Sequence, residues 1–142
     1  MNTIKTLEDQ LVFLSAPYTH PNREIMDTRA KEIERAAVIL TRCGVLVYSP
    51  ITSWHEAAKN YNLPTDARFW EHHNRTMLER CDAVVVLGLP GWRESLGVGI
   101  ETDQAERHQI PTFFLTRDDL GMATAEEQIE DLLGEDPPED WL

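Results

Sequence analysis

The segment from Gly91 to Glu101 brings together a serine, two glycines and a carboxylate at a predicted junction between a strand and a helix. The apolar run at residues 83–88 predicts a buried parallel strand before the segment. The pattern from Ile100 to Gln109 predicts an amphipathic helix after it. Small ligands bind at the carboxyl edge of the strands in open α/β sheets, so chemistry is expected first at this junction.

The spacing within this segment predicts an anion site with a carboxylate one turn deeper. Ser95 is the expected N-cap, which leaves the amides of Gly97 and Val98 at the helix mouth, where anions are favoured. Glu101 shares the helical face of Gly97 and leans back over it, and the glycine leaves that space open. The positive helix end would favour the charged, nucleophilic carboxylate. The alternative is that Ser95 only caps a helix and that Glu101 is a solvated surface residue.

Apolar strands alternate with helical patterns along the chain. This alternation predicts an α/β fold, a three-layer αβα sandwich with a parallel sheet of four to five strands, flavodoxin-like or Rossmann-like. The chain is expected to form a single domain over residues 1–142, with its core at about 11–116. The predicted strands span 11–14, 45–48, 83–87 and 111–115, and the predicted helices span 23–42, 53–60, 66–80, 96–108 and 123–133.

In such a sheet the first and third strand–helix loops lie side by side at the switch point. The first loop would bring Pro17, Tyr18, His20 and Arg23 toward the Ser95 segment. An acidic C-terminal helix and tail cover residues 123–142. The final Trp141-Leu142 pair either docks on the body or a neighbouring subunit, or frays.

The formal charge of −12 arises from 25 acidic and 13 basic side chains. Such a surface repels polynucleotides and anionic membranes, but a local pocket can still hold one phosphate. The mixed, polar N-terminus is unlike a secretory signal, and the apolar runs are too short to span a membrane. Cys43 and Cys81 are expected to be reduced core residues, which suits a cytoplasmic protein.

Four segments together resemble a known family: residues 14–21, 48–51, 81–87 and 91–98, the last followed by Glu101. In this order they resemble the DUF1937 family, within the nucleoside 2-deoxyribosyltransferase-like superfamily. That superfamily includes 2'-deoxynucleoside 5'-monophosphate N-glycosidases and pyrimidine-nucleotide hydrolases, which carry a similar Ser-x-Gly-x-x-x-Glu segment. The resemblance covers roughly residues 12–115.

The resemblance implies roles for three residues. Glu101 corresponds to the nucleophile that attacks the anomeric carbon C1', and Ser95 to the serine that binds a 5'-phosphate. A transferase has an aspartate at the serine position, so Ser95 favours a nucleotide as substrate. Tyr18 lies in the loop that lines the sugar. Relatives build their sites at a homodimer contact, so a homodimer or higher homo-oligomer is expected.

One position departs from the superfamily pattern. The superfamily usually has an aspartate about two turns before the Cys-Asp pair, which assists the base or orients the nucleophile. Eight residues before Asp82, this chain has Asn74 instead. An asparagine can hydrogen-bond a base but cannot donate a proton as an acid. Proton donation is either lost or supplied by another residue, for which the candidates are His72, His73, Asp66 and Glu71.

Further side chains are candidates for ligand contact. Arg93 or Arg23 could assist Ser95 at a phosphate, and loop-borne His20 could touch the ligand. Trp92 is expected either to stack on a base or to pack in the core; Trp54 and Trp70 present the same two alternatives. The histidines lack the spacing of a metal site, so neither a metal nor another cofactor is expected.

Two functions of different classes follow. The first is cleavage or transfer of the N-glycosidic bond of a (deoxy)nucleoside or nucleoside 5'-monophosphate through Glu101. The second is a non-catalytic nucleotide-binding or sensor protein that keeps the pocket. Retention of Glu101 favours the enzyme, and Asn74 favours the sensor.

Overall fold

The computed structural model describes residues 3–122 of the chain. The predicted acidic helix and tail at 123–142, with Trp141 and Leu142, lie outside the described residues. The strands are β1 (Leu11–Ser15), β2 (Leu46–Tyr48), β3 (Ala83–Leu87) and β4 (Thr112–Leu115). The helices are α1 (Thr3–Thr6), α2 (Arg23–Arg42), α3 (Pro50–Asn60), α4 (Ala67–Leu78) and α5 (Leu96–Arg107).

All strand pairs in the described sheet are parallel, and the strand order is β2-β1-β3-β4. This order is that of a flavodoxin-like sheet, whose switch point lies between β1 and β3. The predicted α/β class and parallel sheet are therefore confirmed, with four strands in the described residues. The loops after β1 and β3 lie side by side because these two strands are hydrogen-bonded neighbours.

Side chains of successive residues in the central strands point to opposite faces of the sheet, as the two-residue period of a strand requires. Val12 and Leu14 of β1 pack in one core with Ile33 and Leu40 of α2. The alternate residues pack in a second core with α4 and α5; its members include Phe13, Val84, Val86, Leu78, Val98 and Ala105. The sheet thus has helices on both faces, which gives the three-layer sandwich.

The predicted start of one helix was wrong, and one short helix was missed. Helix α3 begins at Pro50, where Ser49 is the N-cap and its side chain accepts a hydrogen bond from the Thr52 amide. A Ser-Pro pair ends a strand, but proline is also favoured at the first helical position, so the same residues start the helix. The four-residue helix α1 was not predicted in the polar N-terminal segment.

The two cysteines differ in environment. Cys81 is buried, and burial is the main cause that raises its pKa to about 11, so its thiol stays protonated. Cys43 is exposed, which corrects the expectation that both cysteines belong to the core. It lies at the C-cap of α2, just before Gly44, whose φ of +85° turns the chain toward β2. The residue therefore lies beyond the last turn that packs on the sheet.

Candidate functional site

A cavity of about 390 Å³ opens at the carboxyl ends of β1 and β3. The loop after β1 contributes Pro17, Tyr18 and His20 to its wall, and the start of α5 contributes Ser95 and Gly97. Glu101, one turn further along α5, also lines it, and further wall residues come from α3 and α4. The strand order therefore brings most of the predicted site residues to one cavity.

Glu101 is a buried residue whose carboxyl group lies on the cavity wall, and only 8% of the residue is exposed. Ser15, the last residue of β1, donates a hydrogen bond from Oγ to Oε1 of Glu101 at 2.7 Å. Asn74 of α4 donates from Nδ2 to Oε2 at 3.5 Å. Both carboxyl oxygens are thus held from different elements, and the solvated-surface alternative for Glu101 is wrong.

Burial raises the pKa of Glu101 from 4.5 to about 7, although the hydrogen bonds from Ser15 and Asn74 act in the opposite direction. We expected the positive end of α5 to favour the charged form. Desolvation of the buried carboxylate outweighs that effect, because charge is costly to remove from water. Near neutral pH the group therefore changes easily between its protonated and ionised forms.

Ser95 is the N-cap of α5, as predicted, and its Oγ accepts a hydrogen bond from the Val98 amide at 3.2 Å. That amide is thus already occupied, and the Val98 side chain is buried in the core between α5 and the sheet. Gly97 lies in the cavity wall. A Cβ added there would lie 3.8 Å from Ala67 Cβ and from Ser95 Oγ, in ordinary van der Waals contact, so the glycine keeps the wall beside these two side chains free of a further carbon.

Of the four residues that could donate a proton to the base in place of Asn74, two line the cavity and two do not. Asp66 and Glu71 line the cavity, although Asp66 also caps α4 through the Phe69 amide. His72 and His73 lie outside the cavity wall, and His73 instead bonds the Tyr48 hydroxyl at 3.2 Å.

Two buried acceptors near the carboxylate have no hydrogen-bond partner among residues 3–122. They are Asn74 Oδ1 and Gln104 Oε1, and both residues line the cavity. An unpaired buried acceptor costs roughly 1–3 kcal/mol, so a hydroxyl or amino donor on a ligand would be stabilised there.

The family model described as "Domain of unknown function (DUF1937)" matches residues 10–117 of the chain. The chain belongs to the DUF1937 family. No curated protein matches the sequence.

In this DUF1937 protein a pair of tryptophans contributes to the cavity wall. Trp54 of α3 and Trp70 of α4 have ring centroids 5.4 Å apart, and both line the cavity. The Trp70 indole donates to the Pro64 carbonyl at 2.8 Å, which fixes the ring. A rigid aromatic wall of this kind is suited to stacking on a planar heterocycle.

Three other predicted contacts lie away from the cavity wall. Trp92 packs on Phe114 of β4 with ring centroids 5.3 Å apart, and the Arg93 guanidinium lies 5.2 Å from the Trp92 ring centroid. Neither residue lines the cavity, and nor does Arg23. The chain leaves the carboxyl end of β3 toward β4 before it returns to α5, so the side chains of Trp92 and Arg93 face the neighbouring edge.

Arg29 is a cavity residue that the sequence did not indicate. Its guanidinium donates to the carbonyls of Tyr18 and Thr19 at 3.2 Å and to that of Pro90 at 3.5 Å. It thereby joins the loop after β1 to the loop after β3, and it lines the cavity between them. The helical position of Arg29 gave no signal of this role.

A hydrogen-bonded chain of Tyr18, His55 and Asp27 was also missed. The Tyr18 hydroxyl lies 2.7 Å from His55 Nδ1, and His55 Nε2 lies 2.9 Å from Asp27 Oδ1. His20, by contrast, lines the cavity but accepts the Asn22 amide at 2.9 Å through Nδ1. The residues of the chain come from a loop and two helices, so no local spacing could have indicated them.

Within residues 3–122, no group of three or more His, Cys, Asp or Glu side chains is arranged to hold a metal ion. The same part of the chain contains no helix that is both long and apolar enough to cross a membrane.

Proposed function

We propose that this protein cleaves or transfers the N-glycosidic bond of a (deoxy)nucleoside or nucleoside 5'-monophosphate, with Glu101 as the nucleophile. The observation that carries the proposal is a buried carboxyl group on a cavity wall, held by Ser15 and Asn74. The Trp54–Trp70 wall supports a planar base as part of the ligand. The resemblance noted from the sequence supplies the reaction class.

In this mechanism the ionised Glu101 attacks C1' as the bond to the base breaks, giving a glycosyl ester. Cleavage passes through an oxocarbenium-like sugar, which a negative group beside C1' stabilises. Water then attacks C1' in hydrolysis, and a second base does so in transfer. The ester oxygen departs as the regenerated carboxylate. Ser15 holds Oε1 of Glu101 at 2.7 Å. Oε2 makes only the longer contact of 3.5 Å with Asn74, and it turns toward the sugar when that contact opens.

The test is release of free base from a panel of nucleosides, deoxynucleosides and their 5'-monophosphates, scored by chromatography. Glu101→Gln keeps the size of the side chain and removes the nucleophile, so we expect turnover to fall at least 1,000-fold, roughly the loss of a catalytic nucleophile. Ligand binding should persist. Glu106→Gln is the matched control, because Glu106 is an exposed residue of the same helix. Undiminished base release by Glu101→Gln would overturn the mechanism.

A second candidate function is a non-catalytic nucleotide-binding or sensor protein. The observation that favours it is Asn74, whose amide bonds Glu101 where a relative has an acid. Binding of a nucleotide without base release across the whole panel would support this candidate over the enzyme.

We further propose a cytoplasmic protein that works as a homodimer or higher homo-oligomer. Phe69 of α4 and Leu96 of α5 are 52% and 54% exposed, and a second subunit packed on these helices would cover them. Light scattering with size-exclusion chromatography tests this, and a monomer at micromolar concentration would refute it.

A further inference from the structure

Tyr18 and His55 form a second polar group on the wall of the same cavity. The tyrosine hydroxyl and His55 Nδ1 are 2.7 Å apart, and the two rings meet edge to face at 89°. Only 8% of His55 is exposed, so its ring is held in place by its surroundings. A phenol with a fixed partner on a ligand cavity is a candidate for proton transfer.

Behind the ring, Asp27 determines which nitrogen carries a proton. Its Oδ1 lies 2.9 Å from His55 Nε2, and a carboxylate can only accept, so Nε2 is a donor. Lys59 Nζ lies 3.5 Å from the other Asp27 oxygen, and Glu56 Oε1 lies 4.0 Å from Nε2. His55 Nδ1 therefore accepts the Tyr18 proton when the ring is neutral and donates to the Tyr18 oxygen when the ring is protonated.

We infer that Tyr18, His55 and Asp27 form a proton relay that serves the departing base, a role that Asn74 cannot fill. The inference rests on the proposed N-glycosidic reaction and names the acid for it. Tyr18 is the catalytic residue that touches the ligand, His55 supplies its proton, and Asp27 is a positioning residue. The order is that of a catalytic triad, in which a carboxylate orients a histidine that exchanges a proton with a hydroxyl.

The proton step balances with groups already present. As Glu101 attacks C1', the electron pair of the C1'–N bond passes to the base nitrogen, which takes the Tyr18 proton. Tyr18 takes the proton on His55 Nδ1, leaving a neutral imidazole, a neutral base and a glycosyl ester. When water later attacks C1', its proton returns through Tyr18 to Nδ1. The net change is addition of water across the glycosidic bond.

The surroundings of Tyr18 keep its proton in place between turnovers. Burial raises the pKa of Tyr18, and the negative charges of Asp27 and Glu56 act in the same direction, while Arg23 opposes them. The phenol therefore stays protonated, and it loses its proton only as His55 replaces it. This requirement explains why a tyrosine on a cavity wall is backed by a histidine and a carboxylate.

The experiment compares two leaving groups on one sugar. The first substrate is the nucleoside or nucleotide that the wild-type protein cleaves, and the second is the 4-nitrophenyl glycoside of the same sugar. A purine or pyrimidine needs a proton to depart, whereas 4-nitrophenolate is a stable anion. We expect Tyr18→Phe to lower kcat/KM for the first substrate about 100-fold, the usual size of general acid catalysis, and for the second by about threefold or less.

Three further variants complete the test. Tyr61→Phe is the matched control, since Tyr61 is 81% exposed at the end of α3. Its two rates should equal those of the wild type. His55→Gln and Asp27→Asn should lower the rate with the natural base selectively, as Tyr18→Phe does. A role in folding or sugar positioning alone would lower both rates together.

The outcomes separate this inference from the proposed function. Equal losses on both substrates, or no loss in Tyr18→Phe, overturn the relay while the N-glycosidic reaction stands. Loss confined to the natural base supports it. If the wild-type protein cleaves neither substrate class, the proposed function and the relay both fail. If it cleaves only the nitrophenyl glycoside, the proposed N-glycosidic reaction fails and the relay fails with it.

Discussion

Replacing Glu101 with glutamine should stabilise the folded protein above pH 7. A rise in the pKa of Glu101 from 4.5 to about 7 corresponds to about 3 kcal/mol, since one pKa unit is worth about 1.4 kcal/mol. The amide has no proton to lose, so the variant escapes this cost. The oxygen of the new glutamine side chain can still accept the hydrogen bond from Ser15. If the Asn74 amide rotates, its unpaired Oδ1 can accept a hydrogen bond from the amino group of the glutamine.

The sign follows from proton linkage. Below pH 4.5 the Glu101 carboxyl is protonated in the folded and unfolded protein alike, so titration contributes no difference. Between pH 4.5 and about 7 the unfolded state loses its proton while the folded state keeps it, and the wild type is progressively destabilised. Above pH 7 both states are ionised and the loss is constant. The stability advantage of the variant should therefore increase by about 3 kcal/mol across that window and then level off.

The assay is urea unfolding of both proteins at pH 4, 5, 6, 7, 8 and 9, followed by tryptophan fluorescence. Glu106→Gln is the control, because Glu106 is exposed on the same helix and its substitution makes the same change from carboxylate to amide away from the cavity. A stability difference between Glu101→Gln and the wild type that does not vary from pH 4 to 8 would refute the reasoning. It would mean that the carboxyl is hydrated in the folded protein.

Three further substitutions have definite expected outcomes. Ser15→Ala removes the hydrogen bond that lowers the pKa of Glu101, so the acid limb of the pH–rate profile should move up by about one pH unit, and an unmoved limb would contradict this. Gly99→Ala should stabilise the protein by about 0.5–1 kcal/mol in thermal unfolding, because a Cβ there meets nothing within 4 Å in α5. Gly91→Ala should instead destabilise it, because φ is +91° and the new Cβ would lie 2.8 Å from Arg29 Nη2; equal melting temperatures for the two variants would refute the contrast.

Local patterns were sufficient for most of the fold because strand and helix periods reflect which side chains can be buried. The run Ala83–Leu87 is buried at every position, as a central parallel strand requires. The predicted boundary of an element was wrong where the same local sequence is compatible with two structures. Ser49-Pro50 can end a strand or begin a helix, and the choice depends on the α3–α2 packing that follows. Cys43 follows an apolar stretch, yet it lies past the turns that face the core.

The Ser95, Gly97 and Glu101 part of the site was predictable because these residues lie within two helical turns of one another. A helix fixes the relative positions of residues this close in sequence. Ser95 is the N-cap because its side chain accepts a hydrogen bond from the Val98 amide, which is also a local contact. The partners of Glu101 were not predictable in this way. Ser15 is 86 residues away in sequence, and only the β1–β3 pairing brings the ends of these strands together.

The sequence by itself determined the alternating strands and helices, the capped start of α5 and the helical face that Glu101 shares with Gly97; that this face is buried was decided by the tertiary structure. The tertiary structure decided which side chains meet that carboxylate, which aromatic residues line the cavity, and that Trp92 and Arg93 face another edge. It also decided the ionisation of Glu101. The physical reason is that a pKa depends on desolvation and charges in three dimensions, whereas helix and strand periods depend on neighbours along the chain.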